Sequence, residues 1–250
     1  MYKDSRKKYL EWCVYTPNVF DDRFPALPGY QIADYISHAC DDTNDNDLDV
    51  WHLESKLYQS CRKLCLMWHA SEQALTAEAE FFSVTIQDSP ALFGENAIKV
   101  HYHLEAMVLF ARSALDIGSF LFGWALPDPF PRKRYDSFND LIKNILRENC
   151  RLNISKYFEK ARDDELSWLS MVAGIDRGRS LRDKIAHQTE FPIDYMELNP
   201  PSEKESAIVK LGNGPDSFLP LGDFIERLRS GVIEGYLCVE KLCADNLKTK

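Results

Sequence analysis

Residues 50–84 read VWHLESKLYQSCRKLCLMWHASEQALTAEAEFFSV, a stretch that contains neither glycine nor proline. Its apolar side chains recur at helical spacing, at Leu53, Leu57, Leu64, Trp68 and Leu75. This period predicts one long amphipathic helix with a continuous apolar face. A helix of this length must bury that face against other helices, which favours a helical bundle.

A second long helix is predicted over residues 94–126. Its apolar stripe consists of Val100, Leu104, Met107, Ala111, Ala114 and Leu115. Prolines at positions 127, 129 and 131 end it, because proline cannot continue a helix. Shorter helices are predicted at residues 138–149, 154–162 and 164–173. Gly174 then separates them from a helix over residues 176–188, called the motif helix below.

The chain changes character between the motif helix and a closing helix at residues 221–246. Apolar residues there lie among Pro, Gly and Asn, as in short strands: Met196, Leu198, Ile208, Val209, Leu211 and Phe218. The predicted fold class is therefore all-α, an elongated helical bundle with a small β-hairpin-like insertion before the last helix. Residues 1–49 are predicted to form an irregular extension packed on the bundle, and residues 50–250 to form the helical domain.

Charge limits what this chain can bind. The formal net charge of −9 argues against a general nucleic-acid coat, so an RNA site would have to be a local basic patch. Two candidates are Arg132-Lys133-Arg134 and the group Arg177, Arg179, Arg182 and Lys184. Seven scattered cysteines indicate a reducing compartment. Without an apolar leader or a segment of membrane-spanning length, we expect a cytoplasmic protein with no membrane partner.

The stretch Arg182-Asp183-Lys184-Ile185-Ala186-His187 combines a permanent cation, a titratable imidazole and an acid beside the arginine. These groups suffice to cleave RNA without a metal. The pattern, late in a helical chain, resembles the R-x4-6-H signature of the HEPN superfamily. The resemblance covers about residues 50–246, and one helix follows the motif as it does in that family.

The resemblance implies a metal-independent endoribonuclease that leaves 2′,3′-cyclic phosphate ends and needs no cofactor. Arg182 would hold the phosphate, His187 would move a proton, and Asp183 would orient the imidazole. Arg177, Arg179 and Lys184 would bind the substrate. Five residues turn a helix by about 140°, so Arg182 and His187 cannot share one helical face. A joint site needs the helix to end or needs a second copy of the chain, and the resemblance implies the second arrangement, a site shared across a homodimer.

The implied role is that of a toxin or an antiviral defence effector, with RNA as substrate and an antitoxin or defence-complex protein as partner. In some members a tyrosine two residues after the histidine is modified by a partner enzyme. Thr189 stands at that position here. This departure leaves that mode of control, and the identity of an antitoxin, open.

Three alternatives stay open from the sequence. The motif helix can be an ordinary solvent-facing helix with Asp183–His187 and Arg179–Asp183 pairs. The chain can be a non-catalytic HEPN-like module that binds RNA or nucleotide, or scaffolds a complex. It can also bind metal through Cys61, Cys65 and His69, which recur every four residues, although burial of the thiols is the simpler interpretation.

A polar line on the second helix consists of His101, Glu105, Arg112 and Asp116, which fall within a narrow arc. It can face the motif helix and support His187, with Glu105 and Asp116 as the acidic helpers and Arg112 beside them. The alternative is a solvated face with an Arg112–Asp116 ion pair at i,i+4 spacing.

Overall fold

The fold is taken from a computed structural model, which describes residues 28–33, 36, 48–83, 90–127, 130, 133–148, 153–174, 180–186, 191–194, 206–211 and 218–247. Its helices are α1 (Leu48–Phe82), α2 (Pro90–Ala125), α3 (Phe138–Glu148), α4 (Asn153–Asp163), α5 (Trp168–Val172), α6 (Leu181–Ala186) and α7 (Leu221–Leu247). The strands are β1 (Ile193–Asp194), β2 (Ile208–Lys210) and β3 (Phe218–Pro220). The predicted helical bundle with a small insertion before the last helix is confirmed.

Helices α1 and α2 form an antiparallel hairpin that is the spine of the bundle. Leu57, Leu64 and Leu104 are fully buried along it, and Ser60 Oγ donates a hydrogen bond to the carbonyl of Ala114 at 2.8 Å. The second helix begins at Pro90, one turn earlier than predicted. Proline suits a first helical position, where its missing N–H would have no helical partner.

The prediction that no segment could span a membrane does not hold for α2. Residues 94–125 are long and apolar enough by length and composition, and the charges at Glu105, Arg112 and Asp116 do not prevent this. Within the fold, α1 and α7 pack against this helix, and 56% of its most apolar stretch is buried. That burial is typical of a core helix.

Three short helices follow the hairpin and lead towards the motif helix. The predicted start of α3 is confirmed, because the Asp140 N–H donates to Ser137 Oγ at 3.2 Å. The predicted helix over residues 164–173 is wrong in extent, since α5 covers only Trp168–Val172. Asp164 instead accepts the Leu166 N–H at 2.9 Å in a turn, and Ser167 caps α5.

The insertion is a three-stranded antiparallel sheet in the order β1-β2-β3 rather than a two-stranded hairpin. Ile193 pairs with Val209, and Val209 pairs with Leu219. The half-buried carboxylate of Glu78 in α1 accepts the Ala207 N–H at 2.7 Å, which ties the sheet to the spine. Met196 and Leu198, predicted to be strand residues, lie outside the described residues.

Helix α7 closes the core against α1, α2 and α5. Trp168 of α5 packs over Gly231 and Gly235, where a β-carbon would overlap the indole. Arg229 stacks on Trp68 of α1 at 4.3 Å from the ring centroid and pairs with Glu72. One helix thereby holds both the spine and the short helices in place.

Part of the N-terminal extension is described, and it docks on α7. Gly29, with φ of 87°, begins a helical turn over residues 30–33. The buried carboxylate of Glu240 accepts the N–H groups of Gly29 at 2.7 Å, Gln31 at 2.8 Å and Ile32 at 3.2 Å. Burial raises the pKa of Glu240 to about 7, although these three hydrogen bonds lower it.

Candidate functional site

The motif helix α6 is held by its own cap and by one apolar face. The Asp183 N–H donates to Ser180 Oγ at 3.2 Å, so Ser180 ends the preceding segment and starts the helix. Leu181 is 4% exposed and Ile185 packs against the core. Helix α6 lies against α2 and α5. The predicted start near residue 176 is wrong, because Ser180 caps a helix that begins at Leu181.

Burial of Leu181 and Ile185 turns Arg182 to the surface, where 44% of its side chain is exposed. Its Nη1 donates to Asp183 Oδ1 at 3.1 Å. Partial burial works to raise the pKa of Asp183, but hydrogen bonds from Ser180 and Arg182 and the arginine charge lower it overall. The pair is solvent-exposed and therefore weak, so an incoming phosphate can displace the carboxylate from the guanidinium.

Several predicted site residues lie outside the described residues. These are His187, Arg177, Arg179 and the side chain of Lys184, together with Thr189. The described helix ends at Ala186, the residue immediately before His187. The Arg182–His187 distance and the predicted Asp183–His187 contact therefore remain predictions.

The polar line on α2 has a structural use that the sequence only partly indicated. The alternative Arg112–Asp116 pair is present, with Arg112 Nε donating to Asp116 Oδ2 at 2.8 Å. Asp116 Oδ1 accepts the Phe138 N–H at 2.8 Å and so caps α3. Arg112 Nη1 donates to Asn139 Oδ1 at 2.7 Å, and Asn139 Nδ2 donates to the carbonyl of Ala173 at 2.9 Å.

This network joins α2, the start of α3 and the end of α5. Gly174, with φ of 60°, then turns the chain out of α5 towards the motif helix. Arg112 and Asp116 therefore hold the start of α3 against the end of α5, and their predicted support of His187 remains a prediction. Glu105 and His101 are half-buried farther along the same helix.

The predicted basic patch Arg132-Lys133-Arg134 is partly described. Lys133 and Arg134 are exposed, whereas Arg132 lies outside the described residues. Arg134 Nε pairs with Asp136 Oδ1 at 2.9 Å, and its guanidinium stacks on Phe120 of α2 at 5.5 Å. Lys133 Nζ lies 5.1 Å from the ring centroid of Tyr135. This patch belongs to the spine rather than to the motif helix.

The alternative metal site on α1 finds no support among the described residues. Cys61 is buried and donates through Sγ to the Pro28 carbonyl at 3.4 Å, whereas His69 is exposed. No group of three or more His, Cys, Asp or Glu side chains in that part of the chain is arranged to hold a metal ion. Burial of Cys61 agrees with the packing interpretation.

An open cleft of about 370 Å³ lies between α4, the start of α5 and α7. Its lining includes two cations and two carboxylates, namely Lys160, Arg227, Asp164 and Glu234. No described residue of α6 lines it. Its mixed charges select no single class of ligand.

No family model, no curated protein and no solved structure matches this chain. The class of protein must therefore be argued from its own residues.

Two residues that matter at the site escaped prediction, Ser180 and Asn139. The first has a sequence signal, because Ser180-Leu181-Arg182-Asp183 has the spacing of a capping box. Asn139 has none, since its partners come from two other helices.

Proposed function

We propose that this chain is a metal-independent endoribonuclease of the HEPN type that acts as a homodimer in the cytoplasm. The observation that carries the proposal is the setting of Arg182. It stands exposed on a short capped helix whose other face is buried, and His187 follows that helix directly. A cation for the phosphate together with a group that transfers protons is what phosphodiester cleavage requires.

In the proposed reaction, the ribose 2′-oxygen attacks the adjacent phosphorus and the P–O5′ bond breaks. His187 takes the proton of the 2′-hydroxyl or delivers one to the leaving 5′-oxygen. Arg182 leaves Asp183 and donates paired N–H bonds to the phosphate as its charge develops. The products are a 2′,3′-cyclic phosphate end and a free 5′-hydroxyl.

If the helix continues through His187, five residues turn that side chain about 140° away from Arg182, and a second copy of the chain would then complete the site. Arg182 of one copy would then act with His187 of the other, across a two-fold axis. A role as a toxin or an antiviral effector held by a partner protein fits such an enzyme. This role rests on the resemblance of the Arg182–His187 motif alone.

A second candidate is a non-catalytic module of the same fold that binds RNA or nucleotide, or scaffolds a complex. The Arg182–Asp183 contact favours this second candidate. The lowered pKa of Asp183 keeps its carboxyl group ionised, and the carboxylate holds the guanidinium of Arg182. The net charge of −9 also weakens attraction to a polyanion.

The deciding experiment is cleavage of labelled RNA by the full chain in excess chelator. We expect cleavage to persist, with 2′,3′-cyclic phosphate ends, and to fall about 10²–10⁴-fold in His187→Ala. Arg182→Ala and Arg182→Lys should lose a comparable factor, since an ammonium cannot copy the guanidinium fork. Activity that needs a divalent ion, or that survives in both alanine variants, would overturn the proposal.

Mixing the two inactive variants tests the shared site. A heterodimer of Arg182→Ala with His187→Ala has one site with both side chains intact, so mixing should restore part of the activity. A site within one copy would stay inactive on mixing. Light scattering that shows a fully active monomer would also exclude the two-copy arrangement.

A further inference from the structure

One side of the α1–α2 hairpin carries cations stacked on aromatic rings. Lys63 Nζ of α1 lies 4.8 Å from the ring centroid of Phe110 of α2, and Lys56 Nζ lies 5.8 Å from that of Phe120. Arg134 approaches Phe120 from the loop before α3, at 5.5 Å. Cation–π contacts of this kind hold a charged group beside an apolar ring instead of leaving it free to rotate.

These contacts lie away from the side that α7 covers. Lys56 and Lys63 are seven residues apart and share one face of α1. Five residues separate Lys63 from Trp68, which turns the helix by about 140°. Trp68 packs under Arg229 of α7. Helix α7 therefore covers the opposite flank, and the two lysines face outward over α2.

This side is basic although the chain is acidic. Between His52 and His69, α1 carries the cations Lys56, Arg62 and Lys63, and its acid Glu54 is 6% exposed. Lys133 and Arg134 extend the positive charge at one end, where Asp136 pairs with Arg134. Trp124 of α2 is 43% exposed near the same end of the helix. We call the set Lys56, Lys63, Lys133, Arg134, Phe120 and Trp124 the basic seam.

We propose that the basic seam binds single-stranded RNA, with its cations on successive phosphates and Trp124 stacked on a base. The proposal rests on the proposed function, because it supplies the track that leads substrate to Arg182. Regular cations along a groove and an exposed aromatic side chain are the elements that single strands use. On a chain of net charge −9, such a stripe also confines a polyanion to one path.

A small number of contacts links the basic seam to the part of the bundle that carries the motif helix. The loop that carries Lys133 and Arg134 leads into α3, whose first turn contacts Asp116 of α2. Asn139 in that turn donates to the carbonyl of Ala173 at the end of α5, and α5 packs against α6. A strand that continues from the seam past this turn would approach the motif helix.

The test is binding of a fluorescent 20-nucleotide oligouridylate by the full chain carrying His187→Ala, so that cleavage does not interfere. Lys56→Glu/Lys63→Glu should weaken binding at least about tenfold and flatten its salt dependence by roughly 1.4 in log–log slope. Trp124→Ala should weaken it about five- to a hundredfold. The matched control is Lys143→Glu/Lys241→Glu, which makes the same change in net charge at two exposed positions, one in α3 and one in α7. This control should bind the RNA as tightly as the parent protein does.

Each outcome decides the proposal. Equal losses in the seam and control variants would show a general charge effect and overturn it, as would unchanged binding in the seam variants. Binding to phosphatidylserine vesicles with the same dependence on Lys56 and Lys63, without RNA binding, would assign the seam to membranes instead. If circular dichroism shows that the Lys56→Glu/Lys63→Glu variant is misfolded, the neutral variant Lys56→Gln/Lys63→Gln is tested in its place. Seam-dependent binding without any cleavage by wild type would retain this site and reject the proposed ribonuclease.

Discussion

The indole of Trp168 lies directly on Gly231 of α7, so closely that a β-carbon there would stand 2.8 Å from the Trp168 Cβ and nearer still to the ring. Gly235 makes the same kind of contact one turn later. Two glycines inside a helix weaken it intrinsically, and here they make room for a large aromatic side chain. The end of the bundle that carries the motif helix depends on this fit, because α5 packs against α6.

Gly231→Ala should destabilise the fold by about 1–3 kcal/mol, because the added methyl group forces Trp168 or α7 to move. The control is Gly94→Ala in α2, where a β-carbon meets nothing within 4 Å. That substitution should leave stability unchanged or raise it by up to about 1 kcal/mol through helix propensity. Urea unfolding followed by circular dichroism measures both. Equal effects would contradict the packing described here.

Glu240 should make stability depend on pH between about 4.5 and 7. Its pKa is raised to about 7 in the fold, so the folded state binds a proton more tightly than the unfolded chain. Its contribution is therefore complete below pH 4.5 and is lost as the pH rises through 7. The size is on the order of 3 kcal/mol, at about 1.4 kcal/mol per pKa unit.

Glu240→Gln removes this titration and is the matched comparison. The difference in unfolding free energy between wild type and variant should change across that window and stay flat below it. Neighbouring Tyr236 and Cys243 have pKa values raised by burial and do not titrate there. Parallel pH profiles for the two proteins would show that Glu240 does not titrate in the fold as stated.

Asp116→Ala should cost about 1–3 kcal/mol, because Arg112 and the Phe138 N–H lose a partner that is partly buried. Asp116→Asn keeps an acceptor oxygen and should cost less. In the folded fraction of either variant, RNA cleavage should stay within about threefold of wild type, since the role seen for Asp116 is structural. A loss of 10²-fold at unchanged melting temperature would instead make it a helper of His187.

Ser180→Ala removes the cap of the motif helix and should loosen the support of Arg182. Loss of such a cap typically costs about 1 kcal/mol. We expect several-fold slower RNA cleavage, with the overall melting temperature lowered by only about 2–4 °C, as a loss of this size gives in a chain of this length. Ser180→Thr keeps a capping hydroxyl and should restore the rate. Asp183→Asn should reduce activity less than Arg182→Ala, and a rate unaffected by Ser180→Ala would make the cap irrelevant to function.

The sequence was sufficient for the features that depend on local pattern. The apolar period of residues 50–84 and the prolines after α2 each predicted a feature that the structure contains. These signals work because neighbouring residues determine them. The class of fold, a helical bundle with a small β insertion, followed from the same reasoning.

Features that depend on distant residues were not predictable. Nothing local distinguishes Asp116 as a cap for α3, since the Phe138 N–H comes from another helix. The third strand of the sheet needs Ile193 to pair with Val209, which lies sixteen positions later in the sequence. Likewise, the cation–aromatic pairs of the basic seam join residues such as Lys63 and Phe110, which a one-dimensional pattern treats as unrelated.

The hydrogen bond between the Gly29 N–H and Glu240 joins residues 211 positions apart. During synthesis, the turn leaves the ribosome long before its acceptor exists. At about 5–20 residues per second, the gap is roughly 10–40 s. The α1–α2 hairpin, with its short connection, can form in that interval, but the turn has no carboxylate to dock on. Docking of Gly29 is therefore a late event in biosynthesis, and a nascent chain that stalls before α7 presents this segment to chaperones and proteases.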